Sequence, residues 1–157
     1  MRVFTVRRTL VATMPFVSIT RLHIALVRFL PGFFLRSLSI AKQACRTPGF
    51  LGGWLGNDPE WGLWTATVWE SADAMEAFRR SGPHGAAMPK LLRWSDEAAF
   101  GHWEQADGTV PSADVVYDRM SREGRLSKLL RPSARQQAGV KVGRTKPRPS
   151  RILKPNA

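Results

Sequence analysis

The sequence predicts an α+β domain of the ferredoxin-like kind, a split βαβ arrangement in which an antiparallel sheet carries its two helices on one face. Three observations lead there. Stretches of alternating residues and stretches of helical spacing follow one another as strand, helix, strand, strand, helix, strand. A chain of 157 residues suits one core of ordinary size and is short for two. The charge also isolates a middle. Of 24 basic and 12 acidic residues, three Arg lie in 1–13 and ten Arg or Lys in 125–157, where no acid occurs. Residues 14–124 are then nearly neutral, and the boundaries read as an extension over 1–13, a domain over 14–124 and a tail over 125–157.

The first strand spans Phe16 to Ile24, where Val17, Ile19, Arg21 and His23 alternate with Ser18, Thr20, Leu22 and Ile24. Pro31 and Gly32 open a helix from Phe33 to Cys45, with Phe34, Leu38, Ala41 and Cys45 on its apolar side and Arg36, Lys42, Gln43 and Arg46 toward water. Thr47-Pro48-Gly49 stops it, and Phe50 to Leu55 makes a short strand whose Gly52 and Gly53 suggest a bulge. Asn57-Asp58-Pro59 turns the chain into a strand from Trp61 to Trp69, apolar on both rows.

Ser71 caps the next helix, Asp73 sits in its first turn, and Ala74, Met75, Ala77 and Phe78 form its inner stripe. Gly82-Pro83 ends that helix and restarts another, which opens with His84. A fourth strand follows over Glu97–Gln105, and a peripheral helix over Pro111–Arg122 with Ser112 as cap and Val115, Val116 and Met120 inward. Beyond Arg125, proline and cations without acids predict disorder. Strands apolar on both rows leave a second sheet face to be covered, and a second copy in a homodimer is the simplest cover.

Composition also excludes classes. The basic excess belongs to the ends, so no specific nucleic acid is expected as a partner of the domain. A single cysteine, Cys45, excludes an internal disulfide and a cysteine-based zinc site, suits a cytoplasmic location, and reads as a packing residue. The apolar run from Leu22 to Ile40 contains His23, Arg28, Pro31 and Arg36, so no membrane span is expected. Arg7-Arg8 before Thr9, Leu10 and Val11 is a faint twin-arginine pattern without a cleavage site. We read 1–13 as dispensable and Met14 as the start of the domain. No phosphate loop, carboxylate cluster or nucleophile–histidine motif is present, which sets hydrolase and kinase chemistry aside.

The element order, Trp69-Glu70 followed by Ala74-Met75-Glu76-Ala77-Phe78, and the Ser81-Gly82-Pro83-His84 break resemble the dimeric α/β barrel superfamily of antibiotic-biosynthesis monooxygenases. Val17–Phe34 and Phe78–Trp94 further resemble uncharacterised small bacterial relatives of spheroidene monooxygenase. The resemblance covers about residues 14–130. It implies a small monooxygenase or haem-associated oxidoreductase for an aromatic or polyene substrate, although the superfamily also holds cofactor-free oxygenases and members without known activity. It further implies an axial role for His84, as ligand to haem iron, and a catalytic one for Trp69. Ser18, Thr20 and Arg21 stand where haem-degrading members have an asparagine, which counts against haem degradation.

From the residues themselves, His84 is a candidate ligand or base, with Met88, Phe78 and Trp94 as walls for a flat cofactor. Its alternative role is to satisfy the helix break. Arg21 offers a fork for a substrate carboxylate or a cofactor propionate, or pairs with Glu97 or Glu70. His23 and His102 read as satisfied sheet or interface residues. Two classes stay open: the oxidoreductase, with haem or without a cofactor, and a non-catalytic dimeric barrel that binds a small hydrophobic molecule or a partner protein.

Overall fold

A computed structural model describes residues 12–157. Most of the 1–13 extension lies outside the described residues. Strand β1 (Phe16–Ile24) leads through a 3₁₀ turn (Val27–Phe29) to helix α1 (Leu30–Arg46). Strands β2 (Phe50–Asn57) and β3 (Leu63–Trp69) form a hairpin, followed by α2 (Ala72–Arg80), α3 (Gly82–Trp94) and β4 (Ser95–Glu104). Helix α4 (Ala113–Glu123), a short β5 (Arg125–Leu126), a one-turn α5 (Ala134–Gln137) and β6 (Arg148–Leu153) complete the chain.

The sheet is antiparallel throughout, in the order β5-β4-β1-β3-β2-β6, and its four central strands have the ferredoxin-like order. Phe16 stands opposite Trp69 and Arg21 opposite Trp64, so these two pairs point to opposite faces. Helices α1, α2 and α3 cover the face of Phe16 and Trp69. One cluster there joins Trp69 to Phe50, Met75, Phe78, Ala41 and Ala44, and another joins Ile24 and Phe33 to Ala87 and Leu91. Ser71 caps α2 by accepting from the Ala74 amide, as its sequence indicated.

The opposite face departs from expectation. Val116 and Met120 of α4 close over Val17, Ile19, Trp54, Trp64, Ala66 and Val68, and Trp54 Nε1 donates to the Pro111 carbonyl across 2.9 Å. The helix read as peripheral is therefore the lid of a core, and the open face that called for a second copy is covered from within the chain. Val115, expected inward, is exposed.

The tail is a second correction. Far from being disordered, residues 125–157 are built onto the domain: β6 pairs with the free edge of β2, Leu153 is buried, and Gln136 exchanges hydrogen bonds with both the amide and the carbonyl of Ala98. Composition predicts disorder where cations and prolines have nothing to bind. Here Arg135 reaches Glu60 at 2.6 Å, Lys146 reaches Asp114 at 2.5 Å, and an unpaired strand edge supplies backbone partners.

Candidate functional site

The two sheet faces hold two polar constellations, and the predicted site residues divide between them. On the α4 side, Arg21 is 2% exposed and donates from Nε to Asp58 Oδ2 at 2.9 Å and from a terminal nitrogen to Glu97 Oε2 at 2.6 Å. Asp58 also accepts from Trp64 Nε1 and from the Gly62 amide, each at 2.8 Å. Burial by itself would raise its pKa, but the hydrogen bonds from Trp64 and Arg21 outweigh that and hold the carboxyl below its usual range. A side chain at Gly62 would collide with Asp58 and Arg21, so the close approach requires glycine. The Arg135 guanidinium lies 3.3 Å from Glu97 and completes the cluster.

Arg21 is answered by two carboxylates, while Arg135 Nε is buried without a hydrogen-bond partner among the described residues. Arg21 pairs with Glu97, as one of its sequence readings allowed, and with Asp58, which that reading took for a turn residue. It also lies across the sheet from Trp69, which removes it from the site in which sequence reasoning placed it.

On the helix side, Trp69 is fully buried at the end of β3 and donates its indole N–H to Thr67 Oγ1 at 3.0 Å. Phe78 stacks on it with centroids 4.8 Å apart, and His84 tilts against Phe78 at the same separation. Gln43 orders this junction. Its amide donates to the carbonyls of Phe78 and Ser81, and its oxygen accepts from the His84 amide at 2.7 Å. Gly82 has φ of 53° and faces the Gln43 side chain, which fixes the sharp restart between α2 and α3. Gln43 was expected in water, and nothing in its helical spacing distinguishes it from Lys42.

His84 Nδ1 lies 3.0 Å from the carbonyl oxygen of Arg79. A carbonyl can only accept, so Nδ1 carries the proton and Nε2 keeps its lone pair. Burial lowers the imidazole's pKa below its ordinary value, partly opposed by that carbonyl, so the neutral form persists. His102 stands on β4 between Phe16 and Phe100, at 5.3 and 5.7 Å, and burial of its ring followed by the Arg79 charge lowers its pKa too. Both histidines thus sit at the Arg79 end of the helix layer. Between the two helix-side clusters the strands present Ser18, Thr20, Thr65 and Phe100, each half-buried.

Met88 and Trp94 are placed elsewhere. Met88 packs with Phe33 and Leu91, while Trp94 stacks on Phe29 at 5.3 Å and lies under Arg36. The rings of Trp69, Phe78 and His84 lean on one another, which leaves no slot between them for a macrocycle. The residues do not fit haem, because two of the proposed walls, Met88 and Trp94, belong to a cluster apart from His84 and Phe78. His23 Nδ1 donates to Asp96 Oδ1 at 2.6 Å, and Cys45 packs beside the Trp69 cluster.

No protein-family model matches the chain, and no curated protein matches its sequence. Solved structures do share its fold. A conserved protein from Methanosarcina mazei Go1 is 12% identical over 60% of this chain and 95% of its own, with a TM-score of 0.53. A variant of SnoaB, a cofactor-independent oxygenase from Streptomyces nogalater, is 18% identical over 64% of this chain and 100% of its own, at 0.51. A protein named as an antibiotic biosynthesis monooxygenase from Nitrosomonas europaea is 10% identical over 59% of this chain and 99% of its own, at 0.52. At these identities the likeness establishes the fold alone, a ferredoxin-like α+β domain. No helix among the described residues is long and apolar enough to cross a membrane.

Proposed function

We propose that the protein is a cofactor-independent, monooxygenase-like enzyme acting on a hydroxyaromatic substrate in a cleft that we place between the α2–α3 junction and strands β1 and β4. The observation that carries this reading is the His84 ring, held neutral with Nδ1 committed to Arg79 and Nε2 free beside an aromatic bed. Such a nitrogen can take the phenolic proton of a bound substrate. The resulting anion is rich enough in electrons to reduce dioxygen; a ring CH₂ becomes C=O with one oxygen atom, and the other leaves as water. Phe16, Phe78 and Phe100 would hold the planar rings, Thr20 and Thr65 would orient hydroxyls, and His102 would sit at the rim. The fold shared with a cofactor-independent oxygenase supports the same reading.

The Arg79 hydrogen bond also ties off the end of α2, and that observation favours a second reading, in which His84 only joins two helices and the protein is a binding module. Oxygen uptake with a hydroxyaromatic probe such as an anthrol separates them. His84→Asn retains a donor for Arg79 but no base, and should abolish uptake with the melting temperature nearly unchanged. Absence of uptake by the wild type, or uptake unchanged in His84→Asn, favours the module; a saturable Soret band on haem titration, lost in His84→Ala, would restore the haem reading.

A further inference from the structure

Among the described residues, ten large apolar side chains are exposed, and five of them lie between Leu26 and Leu38. Val27 is 80% exposed, Leu35 71%, Phe34 52%, Leu26 47% and Leu38 43%. The exposed positions of α1 recur at intervals of three and four, as Phe34, Leu35, Leu38, Ser39, Lys42 and Arg46. One stripe of the helix therefore faces outward, apolar in its first half and cationic in its second. Helix α3 runs antiparallel beside it, with Gly32 against Trp94 and Gln43 against Gly82. A shallow hollow of about 430 Å³ separates them, lined by Gly32, Leu35, Arg36 and Ser39 from α1 and by Pro83 and Ala86 from α3.

The charge of this face has one sign. No Asp or Glu occurs in residues 1–57 or 77–95, while Arg28, Arg36, Lys42, Arg46, Lys90 and Arg93 all lie on the 3₁₀ turn, α1 or α3. None of the six takes part in an ion pair among the described residues. The first carboxylate beyond α3, Asp96, is taken by His23.

We propose that this face, formed by the 3₁₀ turn, α1 and α3, docks on a lipid surface bearing anionic headgroups. The inference does not rest on the chemistry proposed for the cleft. A twofold-related second copy would bring these cations against their own kind, and a nucleic acid would leave Val27, Phe34 and Leu35 in water. A lipid interface satisfies both halves together. The apolar side chains enter the boundary between headgroups and acyl chains, and the cations reach the phosphates on stems that lie along the apolar surface. Diffuse negative charge needs no shaped partner, which matches cations that have no carboxylate partner among the described residues.

The test is flotation of the full chain with vesicles of phosphatidylcholine alone and of an equal mixture with phosphatidylglycerol. The wild type should float with the mixed vesicles, far less with the neutral ones, and less again as salt is raised. Phe34→Glu with Leu35→Glu, both at exposed positions, should weaken binding at least about tenfold. Arg93→Gln and Lys90→Gln should each weaken it about fivefold. Val115→Glu, at an exposed apolar position on α4, should change nothing. The proposal is overturned if the wild type does not float, or if the Phe34/Leu35 variant floats as well as the wild type. It is equally overturned if deleting residues 1–11 abolishes flotation while the α1 variants are neutral. Light scattering that shows a dimer dissociated by the Phe34/Leu35 variant would assign the face to a second copy and overturn it as well.

Discussion

The two faces of the sheet bury polar groups in opposite ways. On the α4 side, Arg21, Asp58, Glu97 and Arg135 form a closed set in which each charge is answered by another. On the helix side the polar groups beside Trp69 are neutral, with His84 half-covered and His102 exposed, both against aromatic rings. Burial of charge, which on sequence alone makes Arg21 look like a ligand-holding residue, here marks architecture. A group with an uncommitted nitrogen at the edge of a cover is the better mark of chemistry.

That contrast is broken most directly at Arg21. Arg21→Ala removes the only cation among the described residues that reaches both Asp58 and Glu97, and leaves a fully buried carboxylate without its charge partner. The expected loss is about 3–5 kcal/mol by chemical denaturation. A loss below about 1 kcal/mol would mean that water reaches Asp58 and that the cluster is not closed.

Truncation after Gly124 comes next. It removes β6, the buried Leu153, and both the Gln136 and Arg135 contacts with β4. Burying a leucine contributes about 2 kcal/mol, and with the lost polar contacts the melting temperature should fall by about 10 °C. An unchanged melting temperature would show that the C-terminal segment adds nothing to the domain it lies on.

These two predictions rest on features that the sequence carried unevenly. Strand β1 and the α2 cap were legible because alternation and a Ser with an acid two residues later are local signals. The fold followed from their order. Asp58 was not legible as a buried carboxylate, since Asn57-Asp58-Pro59 is as good a turn when the side chain points to water; only the register that sets Arg21 opposite Trp64 brings it inward. The role of α4 was hidden for a related reason. An amphipathic helix shows that it covers something, and its sequence does not name the surface. The C-terminal segment failed the composition rule because its cations answer acids more than thirty residues away, such as Glu60 for Arg135. Of the site, His84 and its chain break were visible, whereas Gln43 and the position of His102 depend on contacts between elements far apart in sequence.

Gln43→Ala sharpens the comparison from the helix side. The side chain satisfies two carbonyls and one amide at the α2–α3 junction. Its removal should cost about 1–2 kcal/mol, and oxygen uptake should fall further than stability because the His84 backbone loses its anchor. A proportionate fall in both would place His84 outside the chemistry.

The smallest expected effect is a pH dependence that should arise on one face only. His84 has its pKa lowered from the ordinary 6.5, by burial first, and His102 is lowered too, by burial and then by the Arg79 charge. The unfolded chain therefore binds these protons more tightly than the folded one. The sign follows: stability is full above about pH 6.5 and is lost as pH falls from there through the folded pKa values. Asp58 and Glu60 are likewise lowered, from the ordinary carboxylate range, so their contributions are present above about pH 4 and are lost only as pH falls below it. Between pH 7 and 5 the melting temperature should decline gently, and His84→Asn together with His102→Gln should flatten that decline. A decline that survives the double variant would place the titrating group outside the cleft; its disappearance with His84→Asn alone would identify the ring on Phe78 as the group that must stay neutral. Because the same neutral ring is the proposed base, oxygen uptake should persist below pH 6.5, down to the folded pKa of His84.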